Sequence, residues 1–132
     1  MSYVKKAEKK AGKFKRKYLP KSLTKKDKEK QAKSIVKGTV RPKVKSFKSK
    51  PSTYTEKFKK KYGNKSLEWI YKNIIKRKQA QQIIKKGMKA YFSGSRPNQT
   101  PSSWGRARLY SVIMGGKARR IDKKEWEEGK LI

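Results

Sequence analysis

The chain has 132 residues, and its 41 Lys plus Arg stand against 9 Asp plus Glu, a formal net charge of +32. It has no Cys and no His, which excludes disulfides, thiolate metal sites and the commonest general base. Hydrophobic residues make up 33%, enough for one core that does not span the whole chain.

The charge is unevenly spread. Residues 1–62 carry 24 basic and 4 acidic residues, a net of +20, whereas residues 63–132 carry 17 and 5, a net of +12. All three tryptophans, Trp69, Trp104 and Trp126, fall in the second part. The sequence therefore predicts a mainly α protein: an extended, lysine-rich arm over residues 1–63, then a small helical domain over 64–132. No apolar run approaches the roughly 20 residues that span a bilayer. Met1-Ser2-Tyr3-Val4-Lys5-Lys6 has no apolar segment behind it, so no signal peptide is expected, and a reducing, soluble compartment is.

In chain order, residues 1–21 are basic and expected to be disordered in isolation, with Lys13, Lys15, Arg16 and Lys17 densest around Phe14. Residues 24–37 predict a helix with Thr24 as N-cap, Asp27 at its positive end and Gly38 as C-cap. From Lys25 to Lys33 only Ala32 is apolar, so this helix is expected to need a partner. Residues 39–52 hold two prolines and an alternation of Val40, Pro42 and Val44 with Arg41, Lys43 and Lys45. That pattern predicts an extended strap with its basic side chains, and Lys48 beyond, on one side.

A short helix is expected over 54–62, ended by Gly63. Leu67, Ile70, Tyr71, Ile74 and Ile75 form an amphipathic helical stripe capped by Ser66. Ala80, Ile83 and Ile84 form a second stripe expected to stop at Gly87. Residues 92–100 read as a polar loop. Thr100 and Pro101 then open a helix that ends at Gly115-Gly116. A last helix follows Asp122 and contains Trp126.

Five of the eight arginines, Arg96, Arg106, Arg108, Arg119 and Arg120, cluster near the C-terminus. Arginine's planar fork suits bidentate binding of carboxylate or phosphate, so oriented contact with a partner is expected there, weighed against a solvated face with local ion pairs. Asn98, Gln99 and Thr100 lead into a helix N-terminus, which attracts anions, but Asn98 and Thr100 serve equally as simple caps. Lys117 beside Gly115-Gly116 lacks the rest of a phosphate loop, and a nucleotide site is rejected. Asn98-Gln99-Thr100 matches a glycosylation sequon only by coincidence. Trp69, Tyr71, Tyr91, Phe92, Trp104 and Tyr110 sit at helical spacings that favour core packing over base stacking. Tyr3, Phe14, Tyr18 and Phe47 lie among lysines and are expected at a partner. The carboxylates make no acid/base pair and no metal set, so no enzyme, metal, cofactor or small-molecule substrate is expected.

The string Ser93-Gly-Ser-Arg-Pro-Asn-Gln-Thr-Pro-Ser-Ser-Trp-Gly-Arg-Ala-Arg-Leu-Tyr-Ser-Val-Ile-Met-Gly-Gly-Lys-Ala-Arg-Arg-Ile-Asp122 resembles a family of small basic proteins of nucleocytoplasmic large DNA viruses. Tyr18–Asp27, Lys45–Lys50 and Ile84–Gly87 look similar in the same order. The resemblance implies a virion structural protein, with Arg96, Pro97, Asn98, Gln99, Thr100, Trp104, Arg106, Arg108, Gly115, Gly116 and Lys117 carrying any shared contact surface. It implies a minor capsid protein, located in a virion assembled in the host cytoplasm, whose partners are capsid proteins of the same particle. Viral DNA or an anionic inner-membrane surface is a further expected contact. The alternatives are a genome-condensing protein and a ribosomal RNA-binding protein.

Overall fold

The computed structural model describes residues 3–48 and 52–132, which are mainly helical. The chain divides into two compact units, Met1–Lys50 with Lys89–Pro101 (unit 1), and Pro51–Met88 with Ser102–Ile132 (unit 2). This division differs from a boundary at residue 63. Ser49, Lys50 and Pro51, part of the expected strap, lie outside the described residues.

Unit 1 opens with α1 (Tyr3–Ala11), a single 3-10 turn (Gly12–Phe14), α2 (Lys15–Tyr18) and α3 (Lys25–Lys37). The described residues of the expected arm are thus largely helical. Gly12, at φ +56°, takes the left-handed conformation that breaks α1 from α2. α1 packs on α3, where Ala7, Leu19, Ala32 and Ile35 form a small buried cluster. Alanine on α1 lets the two backbones come close, and Lys10 Nζ donates to the Ile35 carbonyl at 2.9 Å. The caps of α3 are as the sequence predicts: Thr24 accepts from the Asp27 N–H at 3.2 Å, and Gly38 sits at φ +67°. The expectation that α3 lacks a face to bury is corrected. Its inner face is half polar, since Gln31 and Ser34 are buried beside Ala32 and Ile35.

Unit 2 contains α4 (Thr53–Tyr62), α5 (Leu67–Asn73), the first part of α6 (Arg77–Ser93), nearly all of α7 (Pro101–Ile113), α8 (Lys117–Ile121) and α9 (Lys123–Gly129). Ser52 and Ser66 cap α4 and α5 through their hydroxyls. The core joins Phe58, Ile70, Ile74, Ile75, Ile83, Leu109, Tyr110, Val112 and Trp126. Burial of each such side chain contributes about 1.5–3 kcal/mol, so unit 2 holds the greater share of hydrophobic stabilisation.

Two details depart from the expected pattern. Ile70, Ile74 and Ile75 of the expected stripe are buried and Leu67 and Tyr71 partly so, but α5 stops at Asn73. Ile75 instead makes an antiparallel bridge with Lys130, and Leu131 N–H donates to the Ile74 carbonyl at 2.7 Å. Gly87 does not end its helix; α6 runs on to Ser93. Gly87 is where α6 meets α7: a Cβ there would lie 2.7 Å from the Gly105 Cα, and one on Gly105 would lie 2.7 Å from the Ile84 carbonyl oxygen. Glycine is needed on both helices because backbone, not side chain, is the neighbour.

Candidate polyanion-contact surface

The residues singled out as contacts separate into those spent inside the fold and those left facing outward. Arg41 is spent. It is 3% exposed, and its Nε donates to Ser95 Oγ at 3.0 Å, Nη1 to Ser34 Oγ at 2.8 Å and Nη2 to the Tyr91 carbonyl at 3.1 Å. The guanidinium carbon lies 5.0 Å from the Tyr91 ring centroid, and the Arg41 N–H donates to Tyr91 Oη at 2.6 Å. Burial lowers the pKa of this guanidinium, with Tyr91 and Tyr18 opposing the shift. The predicted alternation of the strap therefore slips at its start: Arg41 points inward and Val40 outward, 54% exposed. Three fitted acceptors stabilise the inward arginine.

Asn98 is spent as well. Its Oδ1 accepts the Val44 N–H at 2.6 Å, and its Nδ2 donates to the carbonyls of Val44 at 3.1 Å and Phe47 at 2.9 Å. The side chain thus plays the part of a neighbouring strand. It holds Val44 in, 5% exposed, while Lys43 and Lys45 face out on either side. Asn98 sits at φ 64°, a conformation asparagine tolerates. At the far end of the strap, Asp27 accepts from the Ser46 hydroxyl at 2.6 Å, and this bond holds its carboxyl below the ordinary value. The Asn98 side chain therefore clamps the strap, a use distinct from both anion binding and helix capping. Gln99 serves it too, its carbonyl accepting from Tyr91 Oη at 2.9 Å.

In unit 2 the arginines meet carboxylate and carbonyl groups of the same fold. Arg108 binds Asp122 through Nε at 2.7 Å and Nη2 at 2.9 Å, and Lys86 adds a third contact at 3.2 Å. Lys86 also pairs with Glu125. Burial raises the Asp122 pKa, but bonds and charge from Arg108 and Lys86 outweigh it and leave the carboxyl below its ordinary value. Arg119 donates to the carbonyls of Val112 and Ile113, each at 2.8 Å, closing the end of α7, and packs 4.5 Å over Trp126. Gly115, at φ +77°, turns the chain there, and a Cβ on Gly116 would lie 2.4 Å from Tyr54. The Gly-Gly-Lys-Ala-Arg motif is a helix-to-helix turn. Arg106 is half-buried, with its Nε unpartnered.

What faces outward is chiefly lysine. In unit 1, Lys13, Lys15, Arg16 and Lys17 are exposed around Phe14, with Lys13 and Lys17 at 5.1 and 5.8 Å from its ring. Lys43, Lys45, Lys48, Arg96 and Thr100 are exposed there too; Lys117 and Arg120 are exposed in unit 2. Unit 1 carries 22 basic against 3 acidic residues, and unit 2 carries 19 against 6. The excess is thus larger in unit 1, where one of the three carboxylates, Asp27, is bonded to a serine rather than a cation. Among the described residues no His, Cys, Asp or Glu cluster could hold a metal ion, and no helix is long and apolar enough to cross a membrane.

Fold and surface together define a small helical polycation in which Arg41, Arg108 and Arg119 brace the fold while Arg16, Arg96, Arg120 and most lysines face outward. The chain belongs to a family of unknown function, DUF5824, whose model matches residues 9–128. No curated protein and no solved structure matches it.

Proposed function

We propose that this chain is a structural protein of a large double-stranded DNA virus particle, a minor capsid protein that staples capsid subunits and bridges the shell to the anionic interior. It performs no catalysis in this reading. The carrying observation is the division of cations: Arg41, Arg108 and Arg119 are held by groups of the fold, while the lysines of 13–17 and 43–48 are displayed. The resemblance of Ser93–Asp122 to small basic proteins of such viruses supplies the particle.

The lysines of residues 3–48 make this contact from a folded surface, and the net charge of +20 over residues 1–62 draws them to an acidic partner. The clamped strap then presents Lys43 and Lys45 in fixed register. Capsid protein is the primary partner, with viral DNA or an anionic inner-membrane surface facing the remaining lysines.

Stepwise disruption of purified particles, followed by mass spectrometry of each fraction, tests the proposal. The chain is expected in the shell fraction after the genome has left. Departure with the DNA would favour genome condensation, and recovery from host ribosomes would overturn the virion reading.

A further inference from the structure

A ladder of aromatic rings leads from the core of unit 2 to its surface. Tyr110 and Phe58 stack at 4.6 Å and 27°, Phe58 meets Tyr62 at 5.0 Å, and Tyr62 meets Trp69 at 5.8 Å. The first two rings are buried and the last two half-buried. The outer pair is therefore held from behind by packed core, and the cap of α5 at Ser66 fixes the backbone beneath Trp69. Cations cover the outer rings. Lys61 Nζ lies 5.3 Å from the Tyr62 centroid and Lys65 Nζ lies 5.0 Å from that of Trp69. Residues 57–65 contain five lysines and no carboxylate, and the next acid along, Glu68, lies 4.0 Å from Arg77.

Two partly exposed rings, tilted 54° to one another and overlain by lysines, fit a ligand with flat π faces and a negative charge repeated along its length. An acidic peptide offers only the charge. Duplex DNA offers phosphate but keeps its base faces inside the stack. A single strand offers both.

We propose that the Tyr62–Trp69 platform binds single-stranded nucleic acid. Unpaired bases stack where Lys61 and Lys65 now lie, and the two ammonium groups swing to the flanking phosphates. This site is separate from the lysine surfaces of unit 1 and goes beyond a shell-bridging role.

The test compares two labelled oligomers of equal length on the full chain, one of thymidine and one abasic, with duplex DNA and polyglutamate alongside. The thymidine oligomer should bind about tenfold more tightly than the abasic one, the scale of one stacked base. Trp69→Leu should abolish that preference and Trp69→Phe should retain most of it. Circular dichroism checks that each variant is folded. Where Trp69→Leu unfolds, Tyr62→Leu and quenching of wild-type tryptophan emission by the thymidine oligomer carry the test. Equal affinity of the wild type for the two oligomers overturns the inference, as does polyglutamate binding equal to thymidine. Binding of duplex and abasic oligomer without base preference sinks this platform alone. No binding to any of these polyanions sinks both the platform and the bridging role.

Discussion

Replacing Asp122 by Asn removes the charge on which Arg108 and Lys86 converge while keeping the shape of the side chain. The Asp122 side chain is fully buried, that of Arg108 is 21% exposed and that of Lys86 is 43% exposed. Breaking a fully buried ion pair costs about 3–5 kcal/mol. The stranded cations here regain part of their hydration, which brings the expected loss to about 2–4 kcal/mol. All three tryptophans lie in unit 2, so tryptophan emission during urea unfolding reports on this unit. The loss should also depend on pH. The Asp122 pKa is lowered on folding from an ordinary 3.8, so its stabilisation is complete above that value. It fades as pH falls through the lower, folded value, and the gap between wild type and Asp122→Asn should close in that acid window. A loss under about 0.5 kcal/mol at neutral pH, the range of ordinary surface changes, would refute the view that this node braces unit 2.

Asn98→Ala deletes three hydrogen bonds to the strap, at a cost of about 2–4 kcal/mol in unit 1. Hydrogen exchange at the Val44 amide should accelerate, and unchanged exchange would remove the clamp. Arg41→Lys keeps the charge but cannot reach Ser34, Ser95 and the Tyr91 carbonyl together, so unit 1 should lose about 1–3 kcal/mol, read as faster exchange at Arg41 and its neighbours. Gly105→Ala pushes a methyl to 2.7 Å from the Ile84 carbonyl and should lower the urea midpoint of unit 2 by the equivalent of about 1–3 kcal/mol.

Much of the helical framework could be read from residues alone. Thr24 and Ser66 precede helices that they cap, and Gly38 and Gly115 turn the chain where helices end. Periodicity also found Ile70, Ile74 and Ile75 as core. It failed where polar side chains form the interior. Gln31 and Ser34 look like surface residues until Tyr18, Arg41 and Ser95 are folded against them, and nothing local in the sequence signals that meeting. Gly87 looked like a stop because a glycine in a helical stripe has two uses, and only the presence of Gly105 selects close helix crossing.

The arginine cluster carried the same ambiguity. Arginine type predicts a fork that binds carboxylate, and it does so at Arg108, but the carboxylate belongs to Asp122 of the chain itself. Bulk lysine content was the more direct guide to the outward surface, because charge without an apolar face has nowhere else to go.

The central claim is that the displayed basic side chains engage polyanions while Arg41, Arg108 and Arg119 hold the fold. The slope of duplex DNA affinity against salt tests it most directly, with Lys13, Lys15, Arg16 and Lys17 all changed to Gln. Each phosphate that the variant no longer neutralises should reduce the slope by about 0.9, so the account predicts a drop of about three to four with unit 2 unfolding at the wild-type urea concentration. A slope equal to that of the wild type would contradict it.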